Sequence, residues 1–134
     1  MMGLMIQLDQ AALAIVLKLR GELDYSTAPS LEAQLPRLLT RLEQSSVDWV
    51  LLDTEELHFL DMSGIRAITL CWREVRVHGA KGLGLIADRT PVMSTYRWAR
   101  LHDLLPIFRS QEEALREMGE REEDQREEGG SGES

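Results

Sequence analysis

Few residues in this chain stand where they could do chemistry, and most of them gather in Phe59-Leu60-Asp61-Met62-Ser63-Gly64-Ile65. The stretch sets one carboxylate and one hydroxyl in a turn that opens a helical pattern. A helix start leaves backbone N–H groups without intrahelical partners. It favours negative charge and suits a phosphate. Ser63 therefore has two readings, a helix cap or an acceptor for a phosphoryl group. Asp61 suits an Asx-type turn. Its nearest histidine, His58, comes with no nucleophile, so acid–base catalysis is not expected. His58, His78 and His102 make no metal spacing with one another or with the single cysteine, Cys71. Gly82-Leu83-Gly84 lies inside a strand pattern with no helix start after it, which excludes a phosphate loop. No Ser-His-Asp context is present. No enzyme activity and no cofactor are expected.

The elements that must position this turn are readable on both sides. Val50-Leu51-Leu52 reads as a buried strand ending at Asp53, followed by a polar loop. After the turn, Ile65, Ile68, Trp72 and Val75 form an apolar helical stripe. Arg66, Thr69, Arg73 and Arg76 repeat the spacing one residue later. That basic row is either a solvated face or a partner contact. His78-Gly79 is a plausible stop. Met62 is either a buried staple or an adaptable exposed contact, with exposure favoured. Trp49, Trp72 and Trp98 are expected in the core.

The rest of the chain follows the same logic. Leu4 to Leu8 and Ala14 to Leu19 read as a strand pair joined at Gln10-Ala11-Ala12. Ser26 or Thr27 with Pro29 opens a leucine-striped helix over Leu31, Leu35, Leu38, Leu39 and Leu42. Pro36 predicts a break near Gln34-Leu35. Gly82 to Ala87 is a strand, and Thr90-Pro91 opens a helix to about Arg100. Leu104 to Phe108 is an apolar edge segment. Ser110-Gln111-Glu112-Glu113 is a capping box for a helix burying Ala114, Leu115 and Met118. Strand–helix alternation after the first pair predicts an α/β fold, a single mixed sheet of four to five strands with about four helices. Asp24, Asp53 and the Asp61 turn are expected at the carboxyl edge of that sheet.

The 134 residues suit one domain over residues 1–118. From Glu120 onward seven acids face two bases, so five of the eight net negative charges lie in the tail. Residues 119–134 are therefore expected to form an acidic disordered tail. A net acidic chain is poorly suited to nucleic acid. No apolar run is long enough for a bilayer, and the start carries no signal-peptide pattern. With one cysteine there is no disulfide framework. These features predict a cytoplasmic protein.

With these residues in view, the chain resembles a stand-alone STAS domain, as found in bacterial anti-sigma-factor antagonists. The likeness runs from Leu4 to Met118. It is carried by Leu19-Arg20-Gly21-Glu22-Leu23-Asp24, by Val50-Leu51-Leu52-Asp53 and by the Phe59–Ile65 turn. Gly79-Ala80-Lys81-Gly82 and Glu112-Glu113-Ala114-Leu115 add to it. The resemblance implies a partner that is both an anti-sigma factor and a serine kinase. It binds the unmodified antagonist and releases it after phosphorylation, so transcription changes by partner switching. A phosphate brings roughly -1.5 to -2 charges into the docking surface. The implied partner-binding residues are Asp24, Tyr25, Asp61, Met62, Ser63, Gly64, Ile65, Arg66 and Arg73. This sequence departs from the usual Asp-Ser-Ser/Thr-Gly turn, because Met62 occupies the position of the phosphorylated serine. Ser63 is left as the phosphorylation candidate. Three alternatives stay open: Ser63 is the acceptor, the partner is bound without phospho-control, or the domain is a scaffold subunit of a stress-signalling assembly. A small-ligand or nucleotide module is a further alternative, and a homodimer is also left open. Arg100 replaces a glycine usual at the end of the third helix.

Overall fold

The computed structural model describes the backbone of residues 3–131 and the side chains of residues 3–121. Its centre is one five-stranded sheet in the spatial order β1-β2-β3-β4-β5. β1 (Leu4–Gln10) and β2 (Ala14–Leu23) form an antiparallel hairpin. β3 (Trp49–Leu60), β4 (Gly82–Ile86) and β5 (Ile107–Phe108) follow in parallel. The helices are α1 (Ala28–Glu32), α2 (Leu35–Gln44), α3 (Met62–Val77), α4 (Met93–Trp98) and α5 (Gln111–Ser131), with a 3-10 turn at Leu101–Asp103.

Alternation along the strands sorts the core into two layers, because neighbouring strand residues face opposite sides. Ile15, Leu17, Leu19, Val50, Leu52, Leu83 and Leu85 face α1, α2, α3 and α4. Ala14, Val16, Trp49, Leu51, Ile86 and Phe108 face α5, through Ala114 and Met118. Each fully buried leucine or isoleucine contributes about 1.5–3 kcal/mol of apolar transfer. Cys71 is buried on the inner side of α3, and burial pushes its thiol up to about 12.

Several boundaries differ from the sequence reading for physical reasons. β3 does not end at Asp53 but runs on to Leu60. Its polar second half pairs with the extended end of β2, up to Leu23↔Leu60, and Leu57 and Leu60 are buried within it. The leucine-striped helix breaks just before Leu35, into α1 and α2, with Pro36 in the first turn of α2. There its missing N–H costs nothing. α4 begins at Met93 rather than Thr90 and is short. Trp98, expected in the core, is 75% exposed, whereas Trp49 is buried. The Ser110 hydroxyl accepts from the Glu113 amide at 3.0 Å, while the Glu113 carboxylate reaches the Arg109 amide at 2.6 Å. The backbone of α5 does not stop at Gly119 but continues to Ser131. Glu117 and Arg121 are spaced four apart, Glu first, a pairing that supports the helix. Residues 132–134 of the expected tail lie outside the described residues.

Arg100 adopts φ 56 and ψ 37, a left-handed conformation suited to glycine. Its guanidinium meets Asp103 at 2.7 Å, an exposed pair that adds little. Arg100→Gly is expected to raise stability by about 1 kcal/mol, since a side chain in the left-handed region costs about 1–2 kcal/mol. A thermal melt checks this by a rise of a few degrees.

Candidate functional site

The sheet's carboxyl edge brings two loops together. β2 ends at Leu23 and β3 at Leu60, paired side by side. The Asp61 amide donates to the Leu23 carbonyl at 3.3 Å, so Asp24 and Asp61 leave the sheet as neighbours. Asp61 is the N-cap of α3, with extended backbone. Its Oδ1 accepts from the Gly64 amide at 3.0 Å, and its Oδ2 accepts from the Tyr25 amide at 3.1 Å. One carboxylate thus caps the helix and ties the Asp24 loop to it.

Asp24 organises its own loop. Its Oδ1 accepts from the Ser26 hydroxyl at 2.7 Å and from the amides of Ser26 and Thr27 at 2.9 and 3.0 Å. These bonds favour the charged form. The Ser26 hydroxyl foremost, with the Thr27 and Ser26 amides, holds the carboxyl below its ordinary 3.8. A folded-state value lowered in this way gives stability that is present above the unfolded value and lost as pH falls through the folded one. The loop is therefore held in place at neutral pH. Thr27 does not cap α1 with its side chain. Its hydroxyl donates to the Glu22 carbonyl at 2.7 Å and fastens the loop to the end of β2.

Ser63 is not the helix cap, because Asp61 holds that place and Ser63 is the second residue of α3. It is half-buried. The described residues make no hydrogen bond to the amides of Met62 or Ser63, leaving both to solvent or a partner. Gly64 is buried against the end of β2. A Cβ there would meet the Leu60 side chain and lie 2.6 Å from the Leu23 carbonyl oxygen. Ile65 is buried in the core and supports the turn from beneath.

Around this turn three large apolar side chains face outward: Tyr25 is 82% exposed, Phe59 50% and Met62 43%. Phe59 was not among the expected site residues. The signal for it is the continuation of β3 beyond Asp53, hidden by the polar run Asp53–His58. Arg66 and Arg73 are exposed on α3. Arg76 instead lies over the half-buried Trp72, 4.8 Å from the ring centre. Asp53 does not join the site. It sits within β3, accepts from the Glu55 amide at 3.1 Å, and lines a depression on the other sheet face with Lys18 and Arg20.

Comparison with known proteins fits this arrangement. A family model described as "STAS domain" matches residues 5–114. The chain belongs to the STAS domain family. A relative named anti-sigma F factor antagonist, from Paenibacillus polymyxa, is 23% identical to this STAS domain over 117 residues, covering 87% of this chain and 97% of that protein. The crystal structure of an anti-sigma factor antagonist from Mycobacterium paratuberculosis superposes with a TM-score of 0.72 at 18% identity, covering 84% and 92% of the two chains. The Bacillus cell fate determinant SpoIIAA in its phosphorylated form gives 0.57 at 24% identity, covering 85% and 99%. The STAS fold, with its mixed five-stranded sheet, agrees with these structures. Among the described residues, no helix is long and apolar enough to cross a membrane, and no cluster of His, Cys, Asp and Glu is arranged for a metal.

Proposed function

We propose that this STAS domain is an anti-sigma-factor antagonist. It binds an anti-sigma factor that is also a serine kinase, and it alters transcription indirectly by partner switching in the cytoplasm. The binding unit is residues 1–118, with 119–134 an acidic extension. The observation that carries the proposal is the exposed apolar patch of Tyr25, Phe59 and Met62 set around the Asp61 cap. An exposed patch of this kind is suited to another protein. Asp24 and Asp61 hold it in one geometry, so little ordering is left to oppose binding. Gly64 and Ile65 set the height of the turn, and Arg66 and Arg73 supply a basic flank for an acidic surface. The chain acts by binding and not as an enzyme: its one thiol is buried and held protonated.

Met62 has no hydroxyl, so phosphorylation at the family's usual position is closed to this chain. Its thioether is an adaptable apolar contact that keeps the docking surface in its binding state. Ser63 is half-buried and beside Gly64, which disfavours it as a kinase acceptor.

The test pairs the purified chain with the anti-sigma-factor kinase of its own cell, by calorimetry and by intact mass after incubation with ATP. Binding with an unchanged mass is expected. A mass gain of one phosphate on Ser63 would remove the claim of escape from phospho-control, and no binding to any such kinase would remove the antagonist reading.

A further inference from the structure

The two edges of the sheet are treated differently. β5 is two residues long, and a short edge offers little to another strand. β1 is seven residues long, and it carries no proline, no lysine and no register shift. Its only charge is Asp9. Among the described residues, that one carboxylate is the only device of the kind that blunts an edge strand.

The hydrogen bonds show which groups this edge leaves open. The Glu22 amide donates to the Gly3 carbonyl at 3.2 Å, and the Ala11 amide donates to the Ala14 carbonyl at 2.8 Å. In an antiparallel pair, bonded and non-bonded residue pairs alternate. With the register Met5↔Arg20, Gln7↔Lys18 and Asp9↔Val16, the odd-numbered residues bond toward β2. The N–H and C=O groups of Leu4, Ile6, Leu8 and Gln10 therefore point away from the sheet. The side chains of Leu4, Ile6 and Leu8 are only partly buried on the helix-covered side. Beside them, a depression of about 350 Å³ runs between Leu8 and α2, lined by Pro36, Arg37 and Thr40.

We propose that two copies of this chain join along β1 in antiparallel fashion, making one continuous ten-stranded sheet about a two-fold axis at Gln7. This register is the one that matches every outward group. It pairs Leu4 with Gln10 of the second copy and Ile6 with Leu8, each pair exchanging two main-chain bonds. It stacks Ile6 against the second copy's Leu8 on the side of the α2 depression, covering apolar surface that the monomer leaves half open. The one charge sits opposite the second copy's Met5, so the two Asp9 carboxylates stay apart. The interface lies at the far edge strand from β5 and leaves the Asp61 turn, on the loops after β2 and β3, open in both copies. The dimer does not depend on the docking function proposed above.

Gln7 of one copy faces Gln7 of the other in a non-bonded pair, with Cβ atoms about 4.5–5.5 Å apart. Gln7 is exposed, so substitution leaves the fold intact. In the full-length chain, Gln7→Cys is expected to form a disulfide dimer at least about tenfold faster than Met5→Cys, because a thiol held in a pair sees an effective concentration in the millimolar range. Met5 is the more exposed of the two, at 66%, yet in this register the two Met5 residues lie about 14 Å apart along the strands. That exceeds the reach of a disulfide. Gln7→Lys sets like charges face to face and should give monomers, as should Gln7→Glu, while an equal mixture of the two restores the dimer. Sedimentation of the parent at its monomer mass of 15.2 kDa at every concentration would overturn the proposal. So would a dimer in which Gln7→Cys cross-links no faster than Met5→Cys.

Discussion

Gly64→Ala is expected to cost the fold about 1–3 kcal/mol, the range for overpacking a filled site, and to abolish docking at the Asp61 turn. The added methyl would meet the Leu60 side chain, the Leu23 carbonyl oxygen at 2.6 Å and Leu23 Cγ at 3.0 Å. A flexible side chain can swing away, but the Leu23 carbonyl cannot. It accepts from the Asp61 amide at 3.3 Å and ends the β2–β3 pairing. The first turn of α3 must then lift off the end of β2. That movement breaks the Asp61 bond to Tyr25 and scatters the exposed patch. Chemical denaturation reads the stability change, and calorimetry against the partner reads the docking. A variant with parental stability and parental affinity would show that the helix approaches β2 less closely than described.

Met62→Asp separates docking from folding. The residue is the first of α3, at the positive end of the helix dipole, where an added carboxylate contributes about 0.3–1 kcal/mol of stability. The melting temperature should therefore hold or rise slightly. The same carboxylate would be stripped of water in the docked complex, and an unpaired buried charge is costly. Affinity for the partner is expected to fall at least about tenfold, equivalent to 1.4 kcal/mol. Met62→Leu keeps an apolar side chain of similar volume and should bind as the parent does. If Met62→Asp binds unchanged, Met62 lies outside the interface. If Met62→Leu loses binding as strongly, the thioether itself is required and charge exclusion is the wrong account.

The sequence carried most of what is local. The near-continuous apolar run in Ala14–Leu19 and the run Val50–Leu52 mark strands because a strand buried on both faces needs little else. The stripe Ile65, Ile68 and Val75 marks α3 because a helix of that length can hide only one side. The broken leucine helix is visible in Pro36, whose ring cannot follow a full helical turn. The turn Asp61–Gly64 and the departure at Met62 are also written in the residues themselves.

What the tertiary structure alone decided depends on neighbours far apart in the chain. The polar half of β3 is a strand because β2 runs beside it to Leu23↔Leu60, a partner no local pattern announces. Ser63 loses the capping role to Asp61, whose two oxygens reach Gly64 and Tyr25 at once. Only a fold that places residue 25 beside residue 61 can make that bridge. Phe59 and Trp98 are as apolar as any core residue, yet both face outward, because burial is set by which surfaces meet and not by residue type. The open edge of β1 likewise exists only once the sheet order is known, since a strand's unpaired groups are defined by the neighbour it lacks.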